Sequence, residues 1–116
     1  MPQDMWQVFQ VEELKKRVQG PEPRFFEFLS GARLSGALYR LPAGAHDLQG
    51  PHLEDEVYVV LGGRARLRVG AEEREVGPGL ILFIRADARH SFVDIQEDLT
   101  LLALFSASEG SWKDRA

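Results

Sequence analysis

Residues 52–69 read HLEDEVYVVLGGRARLRV, and the reading of this stretch decides the fold. Glu56 to Leu61 is rich in β-branched and aromatic side chains, the kind that pack on a pleated surface. Gly62-Gly63 predicts a two-residue hairpin turn, since such turns need positive φ and glycine reaches it without a steric cost. Beyond it Arg64, Arg66 and Arg68 alternate with Ala65, Leu67 and Val69. That period of two sets the arginines on an outer, solvated face and the apolar residues on an inner one. A row of outward arginines could also meet acidic residues of a partner subunit.

Outward from this hairpin the punctuation is frequent, which favours short strands over long helices. Upstream, Phe25, Phe26 and Phe28 open an aromatic strand ended by Ser30-Gly31, and Arg33 to Leu41 forms another, closed by Pro42-Ala43-Gly44. Ala45 to Pro51 reads as a loop. Downstream, Arg74 to Val76, Leu80 to Ile84, Ser91 to Ile95 and Thr100 to Phe105 complete about eight strands at spacings of roughly ten residues, the signature of an antiparallel sandwich or barrel. Val11, Leu14 and Val18 fall on one face of a short helix that Gly20-Pro21 stops. The division predicted is an N-terminal segment with this helix (1–23), a β-barrel (24–106) and a polar tail (107–116).

With 116 residues, 44% of them hydrophobic and 28% charged, the chain is sized for one domain with a core. A net charge of −4 and the lack of any Lys/Arg block argue against nucleic acid or an anionic membrane as partner. Zero cysteines exclude a disulfide scaffold, a thiolate zinc site and a cysteine nucleophile. The longest apolar runs are about half a membrane-spanning helix, and Met1-Pro2-Gln3-Asp4 lacks the features of a secretory signal, so a cytoplasmic protein is expected. No G-x-S-x-G elbow, phosphate-cradling loop or dinucleotide fingerprint is present. A single short helix ahead of the barrel leaves no room for a helix-turn-helix.

The three histidines are His46, His52 and His90. His52 and Glu56 are four apart at the entry to a strand, an even spacing that points both to one face. Tyr58 shares that parity, as does Glu54 if the strand runs so far. Two imidazoles and a carboxylate converging on one point make a facial set for a divalent transition metal with open positions.

This frame resembles the cupin family. Gly44, His52, Glu56 and Gly63 match the first cupin motif, G-x5-H-x-H-x3-4-E-x6-G, and Gly79, Arg85, Asp87, His90 and Asp94 echo the spacing of the second, G-x5-P-x-G-x2-H-x3-N. The resemblance implies an all-β, jelly-roll barrel, often dimeric, with His52, Glu56 and His90 as ligands of one divalent ion (Fe, Mn, Ni or Zn). The family's first histidine falls on Gly50, which offers no side chain, and Arg85, Asp87 and Asp94 replace the second motif's proline, glycine and asparagine. A fourth ligand could come from Gln49, at most about 10 Å along the chain from His52, from His46 if the loop folds back, or from a water. Two histidines on one ion have Cα atoms some 12 Å apart at most, against about 20 Å for six extended residues.

The function implied is a metal-binding cupin acting on or holding a small organic molecule in its cavity, a mononuclear-metal dioxygenase or isomerase, with Tyr58 as the candidate proton donor or orienter. The alternative is a non-catalytic small-ligand module. Phe83, Phe92 and Phe105 are expected in the core or lining the pocket, and Arg85 at the cavity mouth could meet an anionic substrate. A homodimer is expected, with Trp6, Val8 and Phe9 as an edge strand or interface contribution.

Overall fold

A computed structural model describes residues 5–47 and 54–106. A short helix, α1 (Val11–Lys15), runs into a 3-10 turn (Lys16–Val18). Among the described residues six strands follow: β1 (Arg24–Ser30), β2 (Leu34–Leu41), β3 (Glu56–Val69), β4 (Glu72–Val76), β5 (Ile81–Ile84) and β6 (His90–Ser106). All pairings are antiparallel. The strand order is β1-β2-β6-β3-β4, with β5 also on β3. β5 pairs with the first half of β3 and β4 with the second half, while β6 runs beside both. The long β3 and β6 therefore belong to two faces of one jelly roll.

The pattern of eight strands becomes six because the expected breaks at Gly62-Gly63 and between Ile95 and Thr100 are crossings within continuous strands. Gly62-Gly63 is not a hairpin turn. The pairing of β3 with β6 shifts register between Val60 and Gly62, Gly62 and Arg64, and Arg64 and Arg66. Inward residues accordingly switch from Glu56, Tyr58 and Val60 to Ala65 and Leu67. These bulges bend the strand from one face into the next. Gly63, at φ +92, passes so close to β6 that a Cβ would lie 2.1 Å from the Asp98 carbonyl oxygen. In β6 the inward phase changes from Phe92 to Ile95 and Leu99, and Asp94 between them carries the unusual φ of +50.

The core lies between the faces, built from inward Ala37, Tyr39, Leu41, Tyr58, Leu67, Phe92, Leu101, Ala103 and Phe105. Phe92 and Phe105 are core as expected, whereas Phe83 points outward and is exposed. Val18 is the buried residue of the helical stretch, and its turn packs on β1 and β2. The Trp6–Phe9 stretch forms no edge strand; Phe9 instead meets Phe28 edge-on at 4.8 Å. The arginine row is an outer face, with Arg66 and Arg68 both hydrogen-bonded to Glu73 of the neighbouring β4.

Candidate metal centre

Glu56 opens β3 on its inward parity and His90 opens β6, so the two strand starts deliver a carboxylate and an imidazole into the same interior. Glu56 Oε1 lies 2.9 Å from His90 Nε2, with both side chains almost wholly buried. His90 Nδ1 is 3.0 Å from the Ala88 carbonyl oxygen, which only an N–H donor satisfies. That contact fixes the tautomer and turns the Nε2 lone pair of a neutral ring toward Glu56. Two electron-pair donors facing each other at a buried site favour a cation between or beside them.

A proton is one such cation. Burial works against charging His90, but the hydrogen bonds to Glu56 and Ala88 and the negative charges of Glu56 and Asp47 outweigh it and raise its pKa. A divalent ion is another. Ligand bonds near 2.1 Å put adjacent donor atoms of one ion about 3 Å apart at the right angles of an octahedral site and about 3.4 Å apart at tetrahedral angles, so the Glu56–His90 separation suits a shared octahedral metal. The residues present fit the group on this count.

Tyr58, two residues on from Glu56, has its hydroxyl 3.4 Å from His90 Nε2. Its ring packs edge-on against Phe92 at 5.0 Å. Burial, then the charge and hydrogen bond of Glu56, push the phenol pKa well above its ordinary value, so Tyr58 keeps its proton.

Sequence reasoning missed Asp47. Its Oδ1 accepts from the Tyr39 hydroxyl at 2.6 Å and its Oδ2 from the Phe92 backbone N–H at 2.9 Å. Its charge is felt at both Tyr58 and His90. No periodic signal marks an acid in a loop; only the inward Tyr39 waiting for a partner hints at it. Glu54 is 2% exposed, keeping the inward parity although β3 begins at Glu56.

His52 and Gln49 lie outside the described residues. Among the described residues no group of three or more metal-ligating side chains is assembled, and the pair Glu56 and His90 is what the barrel brings together. His46 is exposed, on the rim of an open cavity of about 510 Å³ that Asp47, Phe92 and Asp94 also line. Arg85 is engaged by Asp87 through two hydrogen bonds, 3.1 and 3.3 Å, on the surface. It borders a second cavity of about 540 Å³ with Leu67, Leu82 and Ala88.

The sequence pattern of the Cupin domain family matches residues 37–105. The uncharacterized protein SCO3923 of Streptomyces coelicolor is 39% identical over 101 residues, covering 87% of this chain and 96% of that one. The solved structure of TT1209 from Thermus thermophilus superposes with a TM-score of 0.73 at 24% identity, covering 87% of this chain and 97% of the other. DMSP lyase DddQ from Ruegeria pomeroyi gives 0.70 at 20% identity over 77% of this chain, which spans about half of that lyase (49%). At these identities the two solved structures speak to the fold alone.

Proposed function

This chain belongs to the cupin family, and we propose that it binds one divalent transition metal through His52, Glu56 and His90. In this reading the metal lies beside a small organic molecule on which the protein carries out proton-transfer chemistry of the isomerase kind. The observation that supports it is the buried Glu56–His90 contact of 2.9 Å with Tyr58 at the same nitrogen. Iron, manganese, nickel and zinc all suit imidazole and carboxylate donors. When bound, the ion supplies Lewis acidity to a ligand oxygen. Gln49, His46 or water would complete its shell. Glu56 supplies the balancing charge, Ala88 holds His90 in the ligating tautomer, and Tyr58 holds a proton at its Oη for the substrate. Asp47 fixes Tyr39 and the β6 backbone next to them.

A second reading, a non-catalytic ligand-holding module, draws on the same phenol. A pKa raised well above 10 makes Tyr58 a weak acid near neutral pH. The chain is further proposed to work as a cytoplasmic homodimer; among its described residues no helix is long and apolar enough to cross a membrane.

Elemental analysis of the purified protein tests the metal. Stoichiometric metal is expected in the wild-type chain, with loss in His52→Ala and His90→Ala. No metal, together with no stabilisation by added Mn(II), Fe(II), Ni(II) or Zn(II), would sink the reading. For the loaded protein, solvent-deuterium incorporation into small keto acids and diketones separates proton transfer from mere binding. Oxygen uptake would instead point to a dioxygenase.

A further inference from the structure

Asp55 faces away from the interior that its two neighbours enter. Glu54 and Glu56 are 2% and 1% exposed, whereas Asp55, on the opposite parity between them, is exposed. Its backbone is tied to the end of β6: the Asp55 N–H donates to Ser106 Oγ and the Asp55 carbonyl accepts the Ser106 N–H, both at 3.0 Å. Its carboxylate reaches the other way, and Oδ1 accepts the Ala86 backbone N–H at 2.9 Å. Asp55 is thus anchored in the sheet and holds the connection between β5 and β6.

That connection carries the metal centre's imidazole. Ala86 is the second residue of a tight turn closed by the Ala88 N–H on the Arg85 carbonyl at 3.0 Å. The turn leaves β5 at Ile84, which pairs with Glu56. Its Ala88 carbonyl accepts from His90 Nδ1 at 3.0 Å, and the Arg89 carbonyl takes the Gly70 N–H at 3.1 Å. The contacts form a closed circuit. It runs from Asp55 to Ala86, over the turn to Ala88, through the His90 ring and from Nε2 to Glu56, the residue next to Asp55. The Ala86 N–H lies at the surface, where water would satisfy it, so the bond to Asp55 adds little stability. What a charge-assisted bond from a fixed strand start adds is location.

We propose that Asp55 is a positioning residue of this centre: its carboxylate fixes the Arg85–Ala88 turn against the start of β3, and thereby the seat and tautomer of the His90 ring. The proposal rests on the reading of Glu56 and His90 as metal ligands. The role needs an acceptor oxygen at position 55 and no charge. Contacts that orient a ligating imidazole are worth about 10–100-fold in metal affinity.

Two readouts test it. Ring-nitrogen NMR of the metal-free protein in alkaline buffer, with His90 assigned through His46→Gln and His52→Gln, reports the tautomer. Loss of the free-ion EPR signal on titration reports Mn(II) affinity. The wild-type chain is expected to show the Nδ1–H form of His90 alone. Asp55→Ala is expected to give mixed tautomers and to weaken Mn(II) binding about 10–100-fold, while Asp55→Asn, which keeps the oxygen, restores both. Ala86→Pro removes the N–H from the other end of the bond, at a turn position that accommodates proline. It is expected to match Asp55→Ala, with no further loss in the double variant. Ser106→Ala removes only the acceptor of the Asp55 N–H, and wild-type values are expected. A wild-type tautomer in Asp55→Ala, an Asp55→Asn as weak as Asp55→Ala, or additive losses in the double variant overturns the positioning role while the metal reading stands. Ser106→Ala behaving like Asp55→Ala overturns it too. Asp55→Ala and Ala86→Pro break one bond from its two ends, so a folding failure of either leaves the other to decide. A wild-type chain that binds no Mn(II) counts against the metal reading, and the tautomers then decide the role of Asp55 by themselves.

Discussion

Asp47 joins two parts of the interior with a single carboxylate, and its removal is costlier than its place in a loop suggests. Without it the Tyr39 hydroxyl, on a residue 3% exposed, and the Phe92 N–H lose their acceptor together. Leaving buried donors unpaired costs about 1–3 kcal/mol each. Asp47→Ala is therefore expected to destabilise the protein by about 3 kcal/mol in urea titration, and Tyr39→Phe, which removes donor and need together, by about 1 kcal/mol. Equal effects of the two would mean that Asp47 does not bridge them. At the barrel's waist, Gly63→Ala would drive a methyl into the Asp98 carbonyl at an unfavourable φ. A loss of about 3 kcal/mol or more is expected, against almost nothing for Gly62→Ala, whose Cβ meets no atom within 4 Å.

At the scale of elements, much of the strand pattern was legible because it rests on alternation, and alternation is local. β1, β2, β4 and β5 lie where the runs of Phe25–Phe28, Arg33–Leu41, Arg74–Val76 and Leu80–Ile84 put them, within a residue or two. Glu56 and Tyr58 face inward on the parity that their spacing predicts. What the pattern could not carry was the passage through Gly62-Gly63. A glycine pair between two strands means a turn when judged from its own neighbours; only Asp98, some 35 residues on, shows that a backbone must pass there. Asp47 was hidden for the same reason, since its partners are Tyr39 and Phe92. The outer face of β3 and β4 supports a pH prediction. Hydrogen bonds from Arg68 and Arg66 hold the Glu73 carboxyl below its usual value of 4.5. A depressed carboxyl stabilises the fold above its unfolded pKa, and the benefit disappears as pH falls through the lower folded value. An NMR titration should find Glu73 below 4.5 and moving upward in Arg68→Gln; an unmoved midpoint would remove the coupling.

For the whole molecule, ligand linkage makes the proposed metal visible without any assay of activity. An ion at a hundred times its dissociation constant stabilises the folded state by about 2.7 kcal/mol. For a domain of this size that raises Tm by roughly 10 °C. His90→Ala is expected to abolish the rise, and a variant that kept it would place the ion elsewhere.

β6 is the central strand of this architecture, flanked by β2 and β3 and running the length of the barrel. Among the described strands it is also the last in chain order, and so the last of these six to leave the ribosome. Until its 17 residues emerge, β2 and β3 each hold an open row of backbone donors and acceptors, and closure brings together segments far apart in the chain. Slow assembly and a nascent chain open to strand-to-strand aggregation follow. A premature stop between Asp94 and Leu99 would remove the centre of the molecule rather than its margin.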